Sequence, residues 1–366
     1  MLSPAPPLNA LDPEGLRHFE ELRREAVDAV SARFASEHDA VYAQFGARGR
    51  EACRDDLTFH LEFLRPVLEF GILQPLVDYL RWLDGVLTSR DIPAMHLAQS
   101  LNWLGDFYAA RMPGGNGVIV AAALEGAKAA FLLEQPAALA GPVAPEPWVD
   151  SEIFERALLA GDRREAESIF DRSIAQGFSL VDAELHLIQP ALYRIGQQWQ
   201  DNKVTVAQEH LATAISQALM SRGLYRAVLA PANGGKVLLG CVEGNQHAVG
   251  LQMVADAFQL AGWQVQFLGA NVPTAALGEQ VGRFKPDLLG LSVSFAHQLR
   301  VVRQIMARIT QEHGAARPAV ILGGLAINHF SPLASQLGAD AWGSNARAAV
   351  DCAARLGQPR ARVPEA

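Results

Sequence analysis

A chain of 366 residues, half of them hydrophobic, is too long for one ordinary core, so two or three domains are expected. Its formal net charge of −8 argues against nucleic acid as a direct partner. Cys53, Cys241 and Cys352 are too few and too widely spaced for a disulfide framework or a zinc site, which points to a reducing cytoplasm. No apolar run approaches the ~20 residues that span a bilayer, so no membrane association is expected. The first residues lack the basic start and apolar core of a signal peptide.

Residues 1–13 are Pro-rich and expected to be mobile. From 14 to 133 the pattern is all-helical. Phe19, Leu22, Ala26, Val30 and Phe34 recur at helical spacing. A leucine-dense segment over 56–87 should be kinked or divided at Pro66 and Pro75. Two more helices are predicted over 92–112 and 117–133, parted by Pro113-Gly114-Gly115. The unusual side chains here are His60, His96, Tyr79, Trp82, Trp103 and Tyr108. They suit a packed helical core with amphipathic aromatics at its rim, or a pocket for a flat chromophore such as a tetrapyrrole. In the second case His60, then His96, would contact a pyrrole, and Arg65, Arg81 and Arg111 could pair with propionates.

Residues 134–149 form a Pro-rich linker. Residues 150–230 predict a small four-helix bundle, with helices over 151–160, 163–176, 179–200 (interrupted at Pro190) and 205–228. Thr205 and Gln208 have capping-box spacing. Trp199, Glu209 and His210 flank one short loop and can converge at one end of this bundle. An aromatic cap over a surface acid and base explains them equally well.

From 234 to 356 strand and helix alternate, with strands expected near 236–242, 263–268, 287–294, 319–323 and 339–343. Small-residue corners follow these strands: Glu243-Gly244-Asn245-Gln246-His247-Ala-Val-Gly250, Gly269-Ala-Asn, Ser292-Val-Ser294 and Gly323-Gly324. Each alone is ordinary turn chemistry. Together they place an imidazole, hydroxyls and bare backbone on one sheet edge, a slot for an elongated ligand. Residues 357–366 form a polar tail.

His247, the Ser292/Ser294 pair and Gly323-Gly324 resemble the signature of the cobalamin-binding Rossmann-like domain, Asp-x-His-x-x-Gly followed by Ser-x-Leu or Ser-x-Ser and by Gly-Gly. The resemblance implies a flavodoxin-like fold with His247 as lower ligand to cobalt and the cofactor's benzimidazole tail beside the serines and glycines. Asn245 stands where the family often has aspartate, and Glu243 could supply the acidity instead. Trp199 followed, after nine intervening residues, by Glu209-His210 resembles the light-sensing adenosylcobalamin domains, in which the bundle covers the upper face of the corrin. Those domains carry a histidine directly after the tryptophan, where this chain has Gln200, a poorer cobalt ligand.

The whole layout resembles photocobilins, which pair cobalamin with biliverdin. The expected function is an adenosylcobalamin-dependent photoreceptor, not an enzyme, acting as a homo-oligomer, most simply a dimer, on a downstream effector protein. The alternatives are a corrinoid methyl carrier and a light-independent cobalamin-sensing antirepressor. For the first domain the alternative is a dimerisation scaffold.

Overall fold

The computed structural model describes residues 10–38, 46–133 and 145–356. Residues 1–9, most of the predicted linker and the tail 357–366 lie outside the described residues. The chain divides into two compact units, Met1–Pro136 and Ala137–Ala366.

The first unit is helical. Helix α1 (Pro13–Glu37) starts where Asp12 accepts from the Gly15 N–H at 2.7 Å, and Pro13 takes a first-turn place where no N–H is needed. Helix α2 (Gly46–Phe70) begins well ahead of the leucine-dense segment and carries Pro66 inside it. The division falls after Phe70 instead, and α3 (Gln74–Thr88) holds Pro75 in its first turn. Helices α4 (Ala94–Arg111) and α5 (Asn116–Leu132) complete the unit among the described residues. They lie close because residue 117 is glycine: a Cβ there would stand 2.3 Å from the Tyr108 carbonyl oxygen. Phe19, Leu61, Leu64, Leu80, Leu104 and Leu124 are buried in one core. Between α1 and α2, half-buried Glu20 pairs with Arg23 and Arg65, and Glu62 pairs with Arg23.

The second unit opens with α6 (Ser151–Ala160) and α7 (Arg163–Ala175). Helix α8 spans 180–200 in three continuous stretches: Leu180–Ala183, a π turn at Glu184–Ile188, and Gln189–Gln200. Pro190 has no N–H, and its ring would press on the carbonyl four residues earlier in a regular helix. The helix widens just ahead of the proline, where a break was expected. Helix α9 (Val206–Arg226) starts at the predicted capping box, with the Gln208 N–H donating to Thr205 Oγ1 (3.2 Å) and the Thr205 N–H donating to Gln208 Oε1 (3.0 Å).

A five-stranded, all-parallel sheet follows. Its strands are β1 (Lys236–Cys241), β2 (Gln264–Phe267), β3 (Leu288–Ser292), β4 (Ala319–Gly323) and β5 (Ala341–Trp342), in the order β2-β1-β3-β4-β5. This is the doubly wound flavodoxin-like order, whose reversal point lies between β1 and β3. Strand β3 is buried along its whole length, as a strand covered on both faces must be, and so reads as a continuous apolar run. The crossovers are α10 (Val249–Leu260), α11 (Thr274–Phe284), α12 (Leu299–His313), the short α13 (Leu325–His329) and α14 (Pro332–Gln336), and α15 (Ala346–Arg355) closes the domain.

Helix α10 is buried on two sides. Leu251, Ala255 and Phe258 join the core against the sheet, while Met253 and Ala257 join the core of α6–α9. Between these cores Glu184, in the π turn of α8, meets Asp256 on α10, and the two carboxyls are 0% and 4% exposed. Neither Glu184 oxygen has a well-formed hydrogen bond. Burial first, and then the facing Asp256 carboxyl, hold Glu184 well above the usual carboxylate range. Burial also raises Asp256. Arg347 pairs with Asp182 at 2.5 Å.

The folded state therefore keeps a proton that the unfolded chain releases above about pH 4.5, the ordinary glutamate value. Stability falls as pH rises from there toward the raised folded value. Glu184→Gln should reduce this dependence, leaving the part due to burial of Asp256, and stabilise the second unit at pH 8 by about 1–3 kcal/mol. Thermal melting from pH 5 to pH 9 checks this, and parallel wild-type and variant curves would count against it.

Candidate functional site

The reversal point between β1 and β3 opens a crevice at the carboxyl edge of the sheet, and the 243–247 loop lies on it. Polar side chains pin this loop from both sides. From the β2 side, the Gly244 N–H donates to Asn271 Oδ1 (2.7 Å) and the Asn271 N–H donates to the Asn245 carbonyl (2.8 Å). From the β3 side, Asn245 Nδ2 donates to the Ser292 carbonyl (3.0 Å), and Gln298 Nε2 donates to the Gly244 carbonyl (3.0 Å). Asn245 is fully buried, and its Oδ1 accepts from the His247 backbone N–H at 3.1 Å. An amide suits this position because it must donate and accept at once; a carboxylate would face the Ser292 carbonyl with no proton to give.

The His247 ring is reached by solvent, yet surrounding protein holds its pKa below the usual histidine value, and the Glu209 carboxylate partly offsets this burial. Both facts fit an imidazole in a concavity, neutral and free to act as a donor at neutral pH. Phe295 meets the ring edge-on with centroids 5.2 Å apart. Glu243 does not serve the histidine. Its Oε2 accepts from the Thr274 N–H (3.1 Å) and hydroxyl (3.2 Å), so it caps α11. Gln246 is exposed.

The other corners complete the slot. Ser292 is buried beneath it and Ser294 is half-buried on the loop after β3. Gly324 has φ 93°, and a Cβ there would lie 2.4 Å from the Val293 carbonyl oxygen, so side chains are barred by conformation and by space. At Gly323 a Cβ would come within 3.2 Å of the Gly343 carbonyl oxygen, while Gly244 and Gly250 face open space. An accessible imidazole on a sheet edge built of serines and glycines fits a cobalt ion carried in a macrocycle with a long tail. Imidazole is a good ligand for such an ion.

The residues singled out on the helices lie at one end of α8 and α9. Trp199 is half-buried at the end of α8. One turn back, Glu155 on α6 accepts from Arg194 and Gln198 and holds the last turns of α8 in place. Glu209 Oε2 meets His210 Nδ1 at 2.5 Å, and Thr213 Oγ1 donates to Glu209 Oε1 at 3.0 Å. His210 remains largely exposed. Helix α9 lies against α10, where Gln217 Nε2 donates to Gln252 Oε1 at 3.2 Å, and the Glu209 carboxylate partly offsets the lowering of the His247 pKa by burial.

The first unit contains a separate cavity of about 400 Å³, lined in part by Phe34, Arg48, Cys53, Asp56, Leu57, His60, Arg90 and His96. Ligand pockets typically run from about 300 to 1,000 Å³. His60 lines the cavity but is already bonded, with Nδ1 2.9 Å from the Tyr79 hydroxyl and Nε2 3.1 Å from Ser100 Oγ. Ser100 donates to the Leu97 carbonyl, so Nε2 carries the proton and Tyr79 donates to Nδ1. His96 lies on the lining against His38, at 4.3 Å between centroids. Trp103 sits behind, against Phe34, under the Arg33 guanidinium. Trp82 is half-exposed beside Tyr79, and Tyr108 stacks on Phe19, so neither lines the cavity.

The arginines expected to hold carboxylates are engaged elsewhere: Arg65 with Glu20 and Glu69, Arg81 with the Ala130 carbonyl, and Arg111 with Glu25. Arg48 and Arg90 line the cavity instead. Spacing along the helices could not separate cavity-facing arginines from those facing a neighbouring helix.

Burial pushes the His60 imidazole down to about 3 from 6.5, so it stays neutral when folded and takes a proton when unfolded. Its contribution to stability is complete above pH 6.5 and is lost as pH falls toward the folded value. His60→Gln should flatten the acid limb of the stability profile between pH 6.5 and pH 4. Chemical denaturation across that range checks it, and an unaltered limb would remove His60 as its source.

Two family models, each described as a B12 binding domain, match residues 151–222 and 235–351. The chain is 28% identical over 184 residues to the HTH-type transcriptional repressor CarH of Myxococcus xanthus, covering 50% of this chain and 60% of the repressor. It is 31% identical over 138 residues to the repressor CarA of the same organism, covering 37% of this chain and 46% of the repressor. It thus spans about half the length of these two relatives. It is 30% identical over 122 residues to dimethylamine corrinoid protein 3 of Methanosarcina mazei, covering 33% of this chain and 72% of that protein. The two repressors overturn the expectation of no direct nucleic-acid partner. That expectation rested on the whole-chain charge, which averages over local faces and does not decide partners within this set of relatives. Matched by B12-binding models from 151 to 351 and by a corrinoid protein over most of that protein's length, the chain belongs to the cobalamin-binding family.

Proposed function

We propose that the chain is an adenosylcobalamin-dependent light sensor, a binding protein and not an enzyme, with biliverdin as a second chromophore in the manner of photocobilins. The observation that carries this reading is the packing of α9 on α10 beside the sheet edge, where Met253 and Ala257 join the helical core and Gln217 Nε2 donates to Gln252 Oε1 at 3.2 Å. In this reading a flat macrocycle has the imidazole of His247 below it and Trp199, Glu209 and His210 bordering it above. In this reading His247 holds cobalt from beneath, and Ser292, Ser294, Gly323 and Gly324 border the cofactor tail. Bound adenosylcobalamin would supply a cobalt–carbon bond that visible light breaks. The protein's part is to hold the corrin, enclose the upper group with Trp199, and change shape when that group leaves. Gln200 is a poor cobalt ligand, which leaves His210 as the imidazole at that end of the helices.

A methyl carrier is the second reading, favoured by the likeness to dimethylamine corrinoid protein 3. The large ring of Trp199 speaks against it, because methyl delivery needs an open upper face. The sensor should bind adenosylcobalamin in preference to methylcobalamin, and green light should change its absorption spectrum lastingly. His247→Ala should weaken cobalamin binding about tenfold or more and shift the dark spectrum to one without imidazole ligation. Equal affinity for both cobalamins with no lasting light response would favour the methyl carrier. An unchanged His247→Ala spectrum would remove the lower-ligand assignment.

Biliverdin is assigned to the cavity of the first unit. Arg48 supplies a guanidinium for one propionate, Arg90, whose Nη1 already donates to the Val86 carbonyl at 2.8 Å, offers its remaining N–H groups to the other, and His60 and His96 stand on the wall. Titration of the full chain with biliverdin should give a saturable far-red band. Ala52→Trp, which puts a large ring on the cavity lining, should abolish that band and leave the cobalamin spectrum intact. Absence of saturable binding by the wild type would reduce the first unit to a scaffold.

A further inference from the structure

Gln298 lies on no motif, yet it is 1% exposed and makes three hydrogen bonds at the crevice. It ends the short 3-10 turn Ala296–Gln298 that leads into α12. Its Oε1 accepts from the Ser294 and Phe295 N–H groups, both at 3.1 Å. These two bonds would be enough to cap the turn. Its Nε2 does something capping does not require: it crosses the reversal point and donates to the Gly244 carbonyl, 54 residues away in sequence, at 3.0 Å.

One side chain therefore ties the loop after β3 to the loop after β1. These same loops set the His247 ring. Gly244 belongs to the segment whose next residue, Asn245, binds the His247 backbone, and Phe295 meets the imidazole edge-on. The link is a neutral amide in a buried place, so it is directional and costly to leave half-made.

We infer that Gln298 is a positioning residue for the lower cobalt ligand: it fixes the width of the crevice and the orientation of the His247 ring before the cofactor arrives. This rests on the reading of His247 as that ligand. Preorganisation of this kind sets how fully a ligand engages once bound, as well as how tightly.

Two substitutions separate the parts. Gln298→Ala removes all three bonds. Gln298→Glu keeps an acceptor for the Ser294 and Phe295 N–H groups but cannot donate to Gly244 when ionised. In the cofactor-free chain, hydrogen exchange at Ser294 and Phe295 should speed up in Gln298→Ala and stay slow in Gln298→Glu. With cobalamin, both variants should bind about tenfold more weakly than wild type and show a larger fraction of the spectrum lacking imidazole ligation. Circular dichroism and melting of Gln298→Glu check that the fold is kept. Wild-type spectra and affinity in both variants would overturn the inference, as would unchanged exchange in Gln298→Ala. If wild type itself binds no cobalamin, or binds it with a spectrum indifferent to His247→Ala, the failure lies in the reading of the site, and the exchange result still reports on the clamp.

Discussion

An all-parallel sheet whose strand order reverses between β1 and β3 must send its two flanking loops to opposite faces. The crevice this leaves is a consequence of chain topology, and every residue of the candidate site is placed relative to it. His247 follows β1, Ser292 ends β3, and Gly323 ends β4 with Gly324 after it, so three successive neighbours in the sheet contribute to one edge. The loops would diverge if nothing held them. Side-chain amides do so: Asn245, Asn271 and Gln298 cross between loops at 2.7–3.0 Å. Amides can donate and accept together, and they add no charge beside the His247 imidazole.

The helical layer is joined to the sheet by different means. Helix α10 has one face in each core, so apolar burial on Met253 and Ala257 supplies most of the adhesion. The Glu184–Asp256 pair works against it at pH values where both acids would ionise in water. A π turn places Glu184 there, and Pro190 accounts for the turn. One proline thus fixes both the shape of α8 and the position of an acid that the interface accepts only in protonated form.

Elements that depend on local sequence were legible without coordinates. The strands lie within or next to their apolar runs, and α9 begins at its capping box. The corner residues 243–247, 292–294 and 323–324 lie on the sheet edge because turn chemistry after a strand is local. Tertiary pairing was not legible. Glu243, two residues before Asn245, offered itself as a partner for the histidine, but the nearby N-terminus of α11 takes its carboxylate. Arg81 and Arg111 looked free because their partners sit on other helices, and Arg65 was read past Glu69 one turn on and Glu20 on α1. Tyr108 looked like a rim aromatic and is buried against Phe19, since α5 approaches at Gly117. Gln298 gave no signal at all: its decisive bond joins loops that become neighbours only through the strand order.

The same geometry constrains how an event at the upper face could leave the site. Glu209 and Trp199 lie on helices whose core is continuous with one side of α10, while the opposite side of α10 is continuous with the sheet. Displacing α8 and α9 as a body must therefore open the face of α10 that carries Met253, Asp256 and Ala257. The packing broken by such a motion is mostly apolar and non-directional, while the buried Glu184 and Asp256 carboxyls face each other across it and disfavour each other's ionisation. Separation would admit water to both carboxyls and let them ionise at neutral pH. The boundary between helices and sheet is thus held by apolar packing and opposed by this acid pair.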